Sequence, residues 1–188
     1  MANSDATNGA LDPSGFFEFD LARGAVRARG GARLLVLSDG VVAPLVEAAV
    51  RNGDVTAVRK LGKQLGEAAM AGLGATPSAS RPEVVLGRAA DVLSLFGWGR
   101  LEVQRWGDAL LARVNGLPAL DADHLGVAAL LGGLFSALAD RDVACVPVSK
   151  DGAFLIVHPS IAGQIWKWSR AGESVARIVE RLAAPEVA

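Results

Sequence analysis

Cysteine occurs once in this chain of 188 residues, at Cys145, and histidine twice, at His124 and His158. A single cysteine excludes an internal disulfide and points to a reducing compartment, so a cytoplasmic location is expected. The two histidines fall in different predicted elements, and their spacing with Cys145 matches no zinc motif. An excess charge of one sign is also missing. Nineteen basic residues face twenty acidic ones, for a net charge of −1. That balance leaves no electrostatic footprint for nucleic acid. No apolar run is long and uninterrupted enough to span a bilayer, because Asp121, Asp140, Arg141 and Asp142 bracket the longest one. A basic segment followed by an apolar core is absent near Met1, so no signal peptide is expected. The phosphate-binding loop, the dinucleotide fingerprint and the Gly-x-Ser-x-Gly elbow are absent as well. No nucleophile can be paired with a base, and no acid with a partner. The expectation is a protein without catalytic residues, cofactor or metal ligands.

What the chain has in quantity is apolar surface. Hydrophobic residues make up 51% of it, and the mean hydropathy is +0.33. One domain of this length can bury a sizeable core. The surplus fits burial between subunits, so a homo-oligomer, a dimer or larger, is expected.

Residues 1–14 carry almost no large apolar group and read as a mobile tail. Phe16–Asp20 and Ala25–Leu37 read as a first hairpin, with Leu34-Leu-Val-Leu37 as its most buried piece. Ser38 and Asp39 start a helix with Val42, Leu45, Val46 and Ala49 on its apolar face. A second helix carries Val55, Val58, Leu61, Leu65 and Ala69. Residues 72–80 form a linker, and Ser80, Pro82 and Glu83 start a third helix that runs to about Phe96. There the period changes. Trp98 opens an alternating run, Gly107-Asp108 turns it into a strand carrying Leu110, Ala112 and Val114, and Asn115-Gly116 and Pro118 close this central hairpin. Asp121 or Asp123 caps the apolar helix that ends near Ala139. Asp151-Gly152 joins a last pair of strands, Val143–Ser149 and Ala153–Val157. Pro159-Ser160 begins a final helical region, split near Gly172. Paired strands separated by helices predict an α+β fold, with antiparallel hairpins packed against a helical layer.

Several residues stand out within this frame. Gly62 and Gly66 lie one turn apart on a helix face, and Gly132-Gly133 sits inside the apolar helix. Glycine costs about 1 kcal/mol against alanine in a helix interior, so these pairs imply another backbone close by. Simple helix packing is the plainer explanation, and an interface between copies or a ligand groove is the sharper one. Gly97-Trp98-Gly99 has a structural role: the glycines permit a tight helix-to-strand switch and Trp98 folds over the core. Trp166 and Trp168 are two apart and cannot both face one core from a single helix. One of them is expected to meet a partner, a tail or solvent. Ile178 and Leu182 lie on the apolar stripe of a short C-terminal helix that must dock somewhere. Cys145 reads as a buried structural thiol, and His124 and His158 as surface or capping residues.

The motifs Gly62-Lys-Gln-Leu-Gly66, Leu95-Phe-Gly-Trp-Gly-Arg-Leu-Glu-Val103, Leu110–Pro118 and Leu130-Leu-Gly-Gly-Leu-Phe135 resemble the D subunit of bacterial cellulose synthase, over about residues 55–140. That resemblance implies a non-enzymatic, ring-forming scaffold in cellulose biosynthesis. Arg33 after a glycine pair, the Gly62/Gly66 helix, Gly97-x-Gly99 and the hairpin around Gly152 and Phe154 are similar to vinyl-reductase-type domains. Those share their fold with small subunits of the TRAPP tethering complexes, and they imply a sensory or regulatory domain that binds a small molecule. Three regions are expected: a disordered tail (1–14), one α+β domain (15–160) and a C-terminal helical interaction segment (161–188). That last segment is expected to hold a second subunit or a separate protein partner.

Overall fold

The computed structural model describes residues 16–28, 33–71 and 80–183. The expected tail at 1–14 and the linker, apart from Ser80, lie outside these residues. Within them the fold is α+β, as expected. Strands β1 (Phe17–Asp20), β2 (Ala25–Ala28) and β3 (Arg33–Leu34) form a small antiparallel sheet. Helices α1 (Asp39–Arg51), α2 (Thr56–Ala71) and α3 (Pro82–Leu95) follow. Strands β4 (Arg100–Trp106) and β5 (Ala109–Asn115), helix α4 (Leu125–Ala139), strands β6 (Ala144–Ser149) and β7 (Ala153–Val157), then helices α5 (Pro159–Arg170) and α6 (Val175–Ala183) complete the order.

The main sheet is antiparallel throughout, in the order β4-β5-β7-β6. Its side chains alternate between two apolar layers. Leu101, Ala112, Val114, Cys145 and Phe154 join a core formed with α2, α3 and α4. Leu111, Val146, Val148, Ala153 and Leu155 point the other way, where Ile165 of α5 and Ile178 of α6 cover them. The sheet is therefore the middle of three layers. Strands β6 and β7 are covered on both faces, and they are apolar at successive positions rather than alternate ones.

The small sheet is pinned to the body by aromatics. Phe16 and Phe17 meet Phe96, at the end of α3, in edge-to-face contacts at centroid distances of 5.9 and 5.6 Å. Beyond β3 the expectation fails. Leu35, Val36 and Leu37 are 80%, 77% and 54% exposed, so the run expected to be most buried is the barest apolar segment of the described chain. All three are exposed because nothing in the described chain covers either side. On α1 only Val46 is buried, and Leu45 is 64% exposed.

Helix starts differ in detail from the expected caps. The residue before α3 is Arg81 rather than Ser80, with Pro82 in the first turn. Asp121 caps α4 from a distance: its carboxylate accepts the Leu125 and Gly126 amides at 2.7 and 2.8 Å. His158 caps α5 through Nδ1, which accepts the Ser160 amide.

Candidate functional surfaces

The two glycine pairs face each other inside one chain. A methyl group on Gly62 would fall inside the Leu130 carbonyl, and one on Gly66 would come within 2.8 Å of the Leu134 carbonyl. From the other side, a methyl group on Gly133 would strike the Arg59 carbonyl, and one on Gly132 would lie 2.7 Å from the Arg59 guanidinium. Helices α2 and α4 thus cross at backbone contact. The interface that Gly62, Gly66, Gly132 and Gly133 form is internal, and it leaves no glycine surface for a second copy. The expectation of a role between subunits gives way to the plainer one of helix packing.

Arg59 extends this crossing to the sheet. Its Nη2 donates to Ser136 Oγ and to the Val143 carbonyl, both at 2.9 Å. Ser136 Oγ also accepts the Val143 amide at 3.0 Å and donates to the Gly132 carbonyl at 2.6 Å. One arginine and one serine therefore tie α2, α4 and the entry to β6 together. The sequence reading passed over both residues. The signal was there, since Arg59 lies three positions before Gly62 and shares its helix face. An open groove of about 700 Å³ runs over this node. Its lining mixes four cations, Arg59, Lys60, Lys63 and Arg141, with Glu67, Asp140 and Asp142. Nearby Cys145 is buried, and burial pushes its thiol far above the ordinary thiol range. Burial thus disfavours the thiolate, the form that acts as a nucleophile.

A second cavity, of about 340 Å³, lies beside α5. Arg170 pairs with Asp123 at 2.8 Å at its rim and stacks over the Trp166 ring at 5.6 Å. His124 holds a left-handed backbone, φ 57°. Its Nε2 lies 3.1 Å from the Lys150 carbonyl, which requires the ring proton there. Its Nδ1 is buried without a partner, as is Glu173 Oε2. Among the described residues no three His, Cys, Asp or Glu side chains gather into a metal site.

Gly97, Trp98 and Gly99 sit where expected, at the switch from α3 to β4. The Gly97 amide donates to the Ser94 carbonyl and the Trp98 amide to the Leu93 carbonyl. This is the left-handed helix ending that glycine favours. Gly97 has φ 77° and Gly99 φ 95°, and a methyl group on Gly99 would lie 2.6 Å from the Asn115 carbonyl. Trp98 packs on the main core as a half-buried side chain.

The C-terminal helices differ from the expectation of an interaction segment. Ile165 and Ile178 are fully buried against the second face of the sheet. Trp166, Trp168 and Leu182 are half-buried around them. The two tryptophans do diverge. Trp166 turns toward the cavity under Arg170, and Trp168 turns toward α6, where Arg181 lies 4.9 Å from its ring. The tail's apolar stripe docks on its own sheet, because that face would otherwise be bare. The domain accordingly continues past residue 160, through α6.

Two surfaces remain open among the described residues. Seven of the twelve large apolar side chains that are exposed lie between Phe19 and Leu45. The other surface is the free edge of β4, where Trp106 is 37% exposed. No helix of the described chain is long and apolar enough to cross a membrane. No family model matches the sequence, and no curated protein is similar to it.

Proposed function

We propose that this protein is a non-catalytic, self-associating scaffold or adaptor of the cytoplasm, in keeping with its resemblance to the D subunit of cellulose synthase. The observation that carries this reading is the bare run Leu35-Val36-Leu37, followed along the chain by the exposed Val41 and Leu45 of α1 and preceded by the exposed Phe19 and Leu21. The residues outside the described chain hold few side chains that could cover it. Their large apolar members are Met1, Leu11, Leu73 and Val187. A second copy of the chain brings a matching surface. Covering seven such side chains is worth on the order of 10 kcal/mol. Association costs about 4–15 kcal/mol in lost freedom. The balance is close, so removing two side chains decides it.

Sedimentation at tens of micromolar tests this reading. The expected mass is at least twice the 19.4 kDa of one chain. The pair Leu35→Asp and Leu37→Asp is expected to give a smaller assembly with an unchanged melting temperature. A monomeric parent protein would remove the reading.

A sensory domain that binds a small molecule is the second reading. The cavity beside Trp166, with two buried polar atoms lacking partners, favours it. Native mass spectrometry of the purified protein separates the two, since a retained small molecule supports the sensor.

A further inference from the structure

The two edges of the main sheet are built differently. Strand β6 carries Pro147 in its middle and a register irregularity between Pro147 and Ser149, and α5 packs against it. Proline and bulges are devices that stop further strand pairing. Strand β4 has neither. It runs Arg100–Trp106 in unbroken register with β5, and among the described residues its other side pairs with nothing.

The hairpin fixes which β4 groups point outward. Trp106 and Ala109 flank a two-residue turn, with φ 61° at Gly107. Such a turn closes on a hydrogen-bonded pair. Alternation then aims the amides and carbonyls of Trp106, Gln104, Glu102 and Arg100 at β5. Those of Leu101, Val103 and Arg105 point to the free edge.

We infer that β4 pairs with β4 of a second copy of this chain, antiparallel about a two-fold axis at Val103, to make one continuous eight-stranded sheet. The inference rests on the self-association proposed above and adds to it a second contact, made by β4 and distinct from the Leu35–Leu45 surface. Only the Val103 centre uses all three outward residues. It pairs Val103 with the partner's Val103, and Leu101 with the partner's Arg105, twice over, for roughly six backbone hydrogen bonds. A centre at Glu102 or Gln104 leaves about four. The same centre sets Glu102 opposite the partner's Gln104, and Arg100 opposite the partner's Trp106. The first pair can hydrogen-bond, and the second places a cation against an indole face. A centre at Glu102 would instead oppose two carboxylates. Because β6 is blocked, pairing ends at two copies and cannot propagate into a fibre.

Single cysteines placed along β4 from Arg100 to Trp106, in the otherwise complete chain, test the register. Cys145 is buried and can remain. Opposed residues of a hydrogen-bonded pair lie about 5.5 Å apart at Cα, within disulfide range. Each step from the axis separates a residue from its own copy by about 7 Å more. Mild oxidation is therefore expected to link Val103→Cys most strongly, and Arg100→Cys and Trp106→Cys hardly at all. Val103→Pro removes an outward amide and no bond to β5. It is expected to weaken dimerisation about tenfold or more with the fold retained by circular dichroism. A maximum at position 102 or 104, or equal linking along the strand, would overturn the register. A dimer that gives no link at any position would overturn strand pairing and leave self-association standing. A monomer at tens of micromolar would overturn both.

Discussion

The same substitution, glycine to alanine, is expected to have opposite signs at two helical positions. At Gly62 the added methyl group falls on backbone atoms of Leu130, and neither helix offers a flexible side chain to yield. Helices α2 and α4 must part by more than an ångström. That loosens Val58, Leu65 and Ala69 against Leu130, Leu134 and Leu138. Overpacking of this kind costs about 1–3 kcal/mol, and rigid backbone puts Gly62→Ala at or above the upper end. Alanine's better helix propensity returns about 1 kcal/mol. The net loss is on the order of 2–3 kcal/mol, or roughly 5–10 °C in melting temperature for a domain of this size. At Gly87, in the exposed face of α3, the methyl group meets nothing within 4 Å. Only the propensity gain remains, so Gly87→Ala should raise the melting temperature by about 2–4 °C. Thermal melts followed by circular dichroism at matched concentration measure both. If Gly62→Ala melts no lower than Gly87→Ala, the helices do not cross where described.

Gly99→Val should be severe, because φ 95° and the nearby Asn115 carbonyl both exclude a branched side chain; soluble yield and melting temperature check it. Ile178→Ala should cost about 2–4 kcal/mol by urea titration, since the side chain is fully buried on the second face. An unchanged midpoint would return α6 to the role of a free interaction element. Cys145 should resist iodoacetamide until the chain unfolds. Its folded pKa lies above the usual 9.0, so the unfolded chain releases the thiol proton first as pH rises. Stability should therefore fall above about pH 9, and by less in Cys145→Ala. Equal slopes in the two proteins would show that the thiol is not buried.

Much of this fold was legible because local chemistry decided it. Gly97 and Gly99 announced a switch that only a left-handed residue makes well, and Gly107-Asp108 and Asp151-Gly152 marked turns whose strands then paired in register. The glycine pairs announced close backbone approach, but not to which backbone, since a sequence does not say whether a neighbour belongs to the same chain. Leu34–Leu37 misled for a related reason. Four apolar residues in a row read as buried, and burial depends on a cover that the described chain does not supply. The C-terminal helix misled in the opposite direction. Its stripe was clear, and its acceptor was written in β6 and β7, where Val146 and Leu155 alternate with Cys145 and Phe154. An apolar residue on both sides of a strand asks for a cover on both sides.

The three-layer order carries a consequence for how the chain is made. The first core gathers from α2, α3, α4 and the sheet, and its last strand is β7. The second face of that sheet gets its cover only from α5 and α6, which follow β7 in sequence. Leu111, Val146, Val148 and Leu155 are therefore covered last in chain order. A chain cut short before α5 would leave that face of the sheet as an apolar wall.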